Sequence, residues 1–276
     1  MIAPDMTFAE YLADPSYGSS DLKTFRAGPP AMVPWRKANR DSETPAMRLG
    51  TACHAMILTP NLFARDYAIR PAGMDFRTKE GKAWRDEVES LGKIALTSDE
   101  ADTIIAVANA FESKKAARNS VLSAKAVECS MFWTAQGLPC KGRPDWIGAN
   151  EVYDLKVTIA ADKPQDRLMR HAYDYGWLHQ AAHNATGLRE HGFRIRCGRL
   201  VMVSPKPPYN VQLIEIGEGD LDFLELHNMD TRQQMAKCHA SGIWPGTADE
   251  FTKCELPASA AFTESDLTGA IEDFPL

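Results

Sequence analysis

The sequence offers little that would tie it to a membrane, a secretory route or a molecular motor. No uninterrupted apolar run approaches the length needed to cross a bilayer. The opening MIAPDMTFAEYLADPSYG carries early Asp and Glu and no continuous apolar stretch, unlike a signal peptide. The 6 cysteines (Cys53, Cys129, Cys140, Cys197, Cys238, Cys254) are widely spaced without a CxxC pair. They read as buried thiols of a reducing compartment, not as a disulfide framework. A Gly-x4-Gly-Lys-Ser/Thr loop is absent, so any motor would be a separate protein. Internal repeats and low-complexity segments are absent too. Positive charge is in deficit: 31 Lys and Arg stand against 37 Asp and Glu, a net charge of −6. That argues against coating nucleic acid by bulk charge but leaves room for a local basic groove. The expectation is a soluble, cytoplasmic globular protein. With 276 residues, 44% hydrophobic and 25% charged, it is long enough to bury a sizeable core.

Prolines 15, 29, 30, 34 and 45 break residues 1–50 into short helical pieces, one starting at Ser19-Ser20-Asp21-Leu22. The spacing of Leu49, Ala52, Ala55 and Met56 predicts a helix over 47–58. Residues 75–90 form a polar segment with clustered bases, and 98–118 a capped amphipathic helix. The texture then becomes aromatic and β-branched, which predicts strands at 126–135, 142–149 and 151–158. One long helix over 164–188, strands at 195–204 and 210–216, and a helix over about 219–240 follow. The order implies one α/β domain over 1–256, mostly helical over 1–120 with its sheet and helices over 121–256. The 257–276 tail, with four acids and no base, reads as poorly ordered.

The most informative stretch is Gly142-Arg143-Pro144-Asp145, eight residues, then Asp154-Leu155-Lys156. Side chains alternate along a strand, so Asp154 and Lys156 share a side. Asp145, on an antiparallel neighbour, comes alongside them if the Ala149-Asn150 turn sets the register. Two hard oxygen donors and an ammonium then converge, which suits Mg²⁺ with water and a phosphate completing its coordination. The implied chemistry is metal-assisted phosphodiester hydrolysis. Taken alone, D-x-K also fits a solvated face. Val152, Leu155 and Val157 mark one face as buried, with Tyr153 on the other, which favours the catalytic reading. His54, in Gly50-Thr51-Ala52-Cys53-His54, lies on a helix and could be a satisfied core histidine. Gln180, on the helix after the Asp/Lys strand, could orient the lysine, hold a DNA backbone, or be a surface glutamine.

Together GTACH (50–54), VECSMFW (127–133), GRPD (142–145), DLK (154–156) and the Tyr-x4-Gln helix (175–180) resemble the PD-(D/E)xK nuclease superfamily. The nearest likeness is to RecE-type (exodeoxyribonuclease VIII-like) exonucleases of phages and prophages. The Gly-Thr-x-x-His element and the downstream Gln are shared with RecB-type nucleases. The resemblance runs from about Ser19 through the last helix. It implies a restriction-endonuclease-like core, a central mixed sheet flanked by helices, behind an N-terminal helical portion. It also implies His54 as a metal-site ligand, Asp145 and Asp154 as metal-binding carboxylates, and the Leu155 carbonyl as a further ligand. Lys156 would be the catalytic lysine, Gln180 the glutamine beside it and Glu128 an additional acid. Asp stands at 154 where many members carry Glu. The implied activity is Mg²⁺-dependent (Mn²⁺ substituting) 5′→3′ degradation of one strand of linear duplex DNA from an end. That would leave 3′ tails for a single-strand annealing protein, with a ring-shaped homo-oligomer providing processivity.

Arg77, Lys79, Lys82 and Arg85, with Lys114, Lys115 and Arg118, could grip phosphates or simply face solvent. Trp84 reads as a half-buried anchor more readily than as a wedge at a DNA end. His171, Tyr175, His179 and His183 fall on one stripe that suggests packing rather than zinc. Late cysteines are too few and too far apart for an iron–sulfur cluster. Two rival functions are a RecB-like nuclease acting on single-stranded ends and a non-catalytic DNA-end-binding protein.

Overall fold

The computed structural model describes residues 1–40 and 42–250. The tail reading at 257–276 and Cys254 lie outside the described residues. In chain order come β1 (Ile2–Ala3), α1 (Phe8–Ala13), α2 (Ser19–Ala27), α3 (Met32–Ala38), α4 (Pro45–Leu58), α5 (Pro60–Asp66), β2 (Tyr67–Ile69), α6 (Lys79–Ser90) and β3 (Ile94–Leu96). Then follow α7 (Ser98–Ser113), α8 (Lys115–Leu122), β4 (Ala126–Val127), β5 (Ser130–Ala135), β6 (Leu138–Gly142), β7 (Trp146–Ile147) and β8 (Glu151–Val157). A 3-10 turn (Ile159–Asp162) leads to α9 (Gln165–Asp174), α10 (Trp177–Glu190), β9 (Cys197–Val203), β10 (Val211–Ile216) and α11 (Glu218–Ser241).

The main sheet is mixed, in the order β10-β9-β8-β7-β4, with β8 and β9 parallel and the other neighbours antiparallel. The parallel pair is joined through α9 and α10, as a crossover connection requires. A second, antiparallel sheet has the order β1-β5-β6, and β2 and β3 form a short parallel pair. The N-terminal portion, expected to be mostly helical, therefore also supplies three strands.

β8 is buried on both faces, as the central strand of a covered sheet should be. Val152 packs with Ala181, Leu200 and Leu221 toward α10 and α11. Tyr153 and Leu155 pack with Cys53, Ile57, Val107 and Phe111 toward α4 and α7. The expectation that Val152 shares a face with Leu155 and Val157 is corrected by this alternation. Val152 lies on the same side as Asp154 and Lys156.

Two other expected elements divide. The segment 164–188 is two helices, because Gly176 adopts φ +77°, which a right-handed helix cannot continue and which favours glycine. The segment 126–135 is two strands in two different sheets, separated at Glu128–Cys129, where Glu128 has φ +52°. The chain crosses back from β6 to β7 through Arg143–Asp145. The turn expected around Gly137 is present at Gln136 and Gly137, both at positive φ, and β6 begins directly after it and takes in Pro139. Glu128 N–H donates to the Asp145 carbonyl at 2.8 Å, so the two crossings are tied together. Among the described residues no helix is long and apolar enough to cross a membrane.

Candidate active site

The site forms where the strands exchange sheets. Thr44 caps α4 through Met47 N–H and Pro45 occupies its first turn, both standard helix-start chemistry. That helix buries Ala52, Cys53, Ile57 and Leu58 and turns His54 toward the crossing. His54 Nδ1 lies 3.6 Å from Asp145 Oδ1. Ligand atoms of His54, Glu128 and Asp145 all lie within 4.8 Å of one another. Glu128 reaches this point through its left-handed backbone, a conformation that is costly for a residue with a Cβ. Arg143 holds it there: Nε donates to Glu128 Oε2 at 3.0 Å, and a second nitrogen donates to Ser130 Oγ at 2.6 Å and the Met6 carbonyl at 3.0 Å.

Asp145 is fixed from β8, because the Leu155 N–H donates to its Oδ2 at 2.6 Å. One strand position further on each side stand Asp154 and Lys156. Lys156 Nζ sits across the Asp154 carboxylate, 3.0 Å from Oδ1 and 2.8 Å from Oδ2. Gln180, on the first turn of α10, closes a triangle. Its Nε2 donates to Asp154 Oδ1 at 2.9 Å and its Oε1 accepts from Lys156 Nζ at 3.2 Å. Asp154 is thus drawn to Lys156 and Gln180 and does not join the His54–Glu128–Asp145 group.

Crowding of carboxylates sets the electrostatics. Burial pushes Asp154 up to about 6, Lys156 pulling against it and Asp145 adding to it. Burial also raises Glu128, and Asp145 contributes, against the pull of Arg143. For Asp145 burial works toward the neutral acid, yet His54, Lys156 and the Leu155 N–H together hold it below its ordinary value. Burial opposes charge on His54, but Asp145 beside it raises the imidazole above its ordinary value. Three carboxylates face one imidazole, one ammonium and the Arg143 guanidinium, so the site gathers hard oxygen donors close to charge balance. The Asp154 Oδ2 atom is buried without a directed hydrogen bond. A divalent cation fits that donor set.

A sequence profile described as "PDDEXK-like domain of unknown function (DUF3799)" matches residues 18–257. The chain belongs to this PDDEXK-like family. No curated protein matches it. The crystal structure of a candidate exonuclease from Eubacterium rectale is similar at a TM-score of 0.62 and 12% identity, over 96% of this chain and 99% of that one. At that identity the likeness bears on the fold, which is the restriction-endonuclease-like α/β architecture that the sequence resemblance implied.

Within this PDDEXK-like fold the structure brings His54, Glu128, Asp145, Asp154, Lys156 and Gln180 into one neighbourhood. Leu155 contributes its N–H to Asp145 Oδ2. Sequence reasoning passed over Arg143 as the clamp on Glu128; its place two residues before Asp145 was the available signal. The histidine stripe is split by the Gly176 turn. His183 Nε2 lies 3.0 Å from the Lys141 carbonyl in the core, while His171 packs on Tyr175. Neither belongs to a metal-type group among the described residues. The basic run is partly neutralised locally: Arg77 pairs with Asp75 at 2.6 Å and Arg85 with Glu89 at 3.6 Å. Trp84 stacks on Phe76, as a partly buried anchor.

Proposed function

We propose that the protein is a metal-dependent nuclease that hydrolyses phosphodiester bonds at the ends of linear double-stranded DNA. The observation that carries this reading is the meeting of two groups across adjacent strands. His54, Glu128 and Asp145 form one, and the Asp154–Lys156–Gln180 triangle forms the other. His54, Glu128, Asp145 and Asp154, with the Leu155 carbonyl, would hold Mg²⁺, or Mn²⁺ in its place. Such an ion would supply Lewis-acid charge for a phosphoryl oxygen and would make a water more acidic. Lys156 keeps its ammonium between a carboxylate and an amide oxygen, a fixed positive charge for the attacking water or the developing phosphate anion. Gln180 restrains both partners of that pair. Arg143 and the Leu155 N–H position Glu128 and Asp145 as ligands.

The resemblance to RecE-type exonucleases extends the reading to 5′→3′ digestion that leaves 3′ tails for recombination. A ring of copies around the duplex and a single-strand annealing protein as partner belong to the same proposal. A RecB-like preference for single-stranded ends is the second reading, favoured by the exposed Tyr175, 5.5 Å from the Trp177 ring that neighbours Lys156.

The test is nucleotide release from linear duplex, covalently closed circular duplex and linear single strands, with Mg²⁺ or EDTA, beside Lys156→Ala. Loss of linear duplex alone, dependent on Mg²⁺ and Lys156, is the expected result. End labels at 5′ and 3′ give the polarity. Release from single strands alone selects the second reading. No release from any substrate by the folded protein overturns the enzyme reading in favour of end binding.

A further inference from the structure

A groove of about 750 Å³ opens between α2, the α9–α10 turn and α11. Its surroundings connect to the candidate active site through a series of aromatic and cationic side chains. Lys156 Nζ lies 5.9 Å from the centroid of the Trp177 ring, and Trp177 lies 5.5 Å from Tyr175. Lys23 Nζ lies 5.1 Å from the Tyr175 centroid and lines the groove with Arg26. Tyr173 lines the groove at 45% exposure, and Tyr175 stands beside it at 53% with its ring 4.0 Å from that of His171, so both leave aromatic surface in water.

The floor of the groove is His179, only 6% exposed, packed 5.1 Å from Tyr173. Its ring nitrogens take no hydrogen-bond partner among the described residues. Burial holds it far below the ordinary histidine range, near 4, so at neutral pH it offers a flat uncharged face. Arg26 commits one terminal nitrogen to Asn228 Oδ1 at 3.0 Å and Thr231 Oγ1 at 3.3 Å, which fixes its guanidinium at the rim. Asp174 and Asp230 also line the groove and balance Lys23 and Arg26. The surface is therefore close to neutral and not built to attract polyanions in general. A duplex keeps its bases stacked inside, out of reach of tyrosine side chains. An unpaired strand presents base faces for stacking and spaced phosphates for the two cations.

We propose that this groove is a track for single-stranded DNA leading to or from the candidate active site, with Tyr175 and Tyr173 stacking on bases and Lys23 and Arg26 contacting the backbone. The placement rests on the nuclease reading; binding in the track does not.

The test measures binding of a fluorescein-labelled oligothymidylate of about 15 nucleotides to the full chain in EDTA by fluorescence anisotropy, beside a blunt hairpin duplex. Tyr175→Ala and Tyr173→Ala are each expected to weaken oligothymidylate binding by about tenfold or more, the usual scale of one base–aromatic stack. Tyr175→Phe keeps the stacking face and is expected to bind like the parent. Lys23→Ala is expected to cost a smaller factor, with only a shallow salt dependence. Hairpin binding is expected to move little in any of them. Because both tyrosines are exposed, the variants should match the parent in melting temperature. Oligothymidylate binding that survives both Tyr→Ala changes, or that the parent chain lacks, overturns the track. Nucleotide release by the parent chain is scored separately. Release with tyrosine-independent binding removes the track alone, and tyrosine-dependent binding without release removes the nuclease reading alone.

Discussion

The carboxylate of Asp145 is held by the backbone N–H of Leu155, 2.6 Å from its Oδ2, so one acid is positioned by the strand that carries the other. Because the donor is main chain, no substitution at 155 other than proline removes it. The distance between Asp145 and the Asp154–Lys156 pair is therefore built into the pairing of β7 with β8, where Trp146 stands opposite Tyr153.

Asp145→Asn separates charge from shape. The amide oxygen can still accept from Leu155 N–H, so the strand pairing should persist. Loss of the negative charge removes an electrostatic partner of His54 and relieves repulsion on Glu128 and Asp154. We expect a melting temperature within a few degrees of the parent without metal. Nuclease activity should fall by about a thousandfold, in line with loss of a group that stabilises transition-state charge. Titration with Mn²⁺ followed calorimetrically should show weakened binding. An active, metal-binding Asn variant would remove Asp145 from the ligand set.

Arg143 acts through Glu128. Its Nε–Oε2 contact at 3.0 Å steers a side chain whose backbone sits at φ +52°, and the neighbouring bonds to Ser130 and Met6 keep the guanidinium from turning away. Partners that orient metal ligands are commonly worth 10–100-fold in affinity or activity. Arg143→Ala is expected to lose about that much Mn²⁺ affinity. Arg143→Lys, which lacks the planar fork, should recover only part of it. Equal affinity in all three proteins would show that Glu128 needs no such support.

How much of this was legible in the sequence depends on where the information lay. The helix carrying His54 and the Asp154–Lys156 alternation follow from local periodicity and strand geometry, and both were readable. Gln180 was readable from its place after the Asp/Lys strand. The exchange of strands between sheets at Glu128 and at Arg143–Asp145 was not, because a left-handed Glu and a strand change leave no compositional mark. The expected single helix over 164–188 failed at one residue, Gly176, whose freedom at positive φ outweighed an otherwise continuous helical pattern. The same long-range assembly hid Arg143, whose partner lies 15 residues earlier in the chain.

Helix α10 crosses the sheet closely at Gly187. A Cβ there would lie 2.6, 2.8 and 2.9 Å from three atoms of the buried Trp133 indole. In an open helix Gly→Ala gains about 1 kcal/mol of propensity. Here a rigid ring must move, and overpacking typically costs about 1–3 kcal/mol. Since an indole cannot fold away as a flexible side chain can, the clash should win. Gly187→Ala is expected to lower the stability measured by urea unfolding. Trp133→Leu in the same chain should make the added methyl neutral or favourable. A stabilised single variant would mean that α10 has room to shift.

The last expectation concerns acid. His183 is fully enclosed, its Nε2 3.0 Å from the Lys141 carbonyl and its Nδ1 without a partner. Burial drives its pKa down to about 3, while an exposed histidine in the unfolded chain keeps a value near 6.5. Between those values the unfolded chain binds the extra proton, so stability is full above about pH 6.5 and falls as the pH drops toward 3. His179, held near 4 by burial with Arg26 and His227 adding to it, contributes in the same direction over a narrower window. Asp154, raised to about 6, acts oppositely between about 4 and 6, because there the folded chain holds the proton more tightly. Glu128, raised too, acts with Asp154, while Asp145, held low, acts with the histidines. The two histidine shifts are the dominant pair, so urea unfolding without metal should show stability declining from pH 6.5 to pH 4. His183→Gln retains an N–H donor toward the Lys141 carbonyl and cannot be protonated. It should be less stable at pH 7, from imperfect packing, yet lose less on acidification than the parent. Parallel pH profiles for the two proteins would place the acid sensitivity elsewhere in the chain.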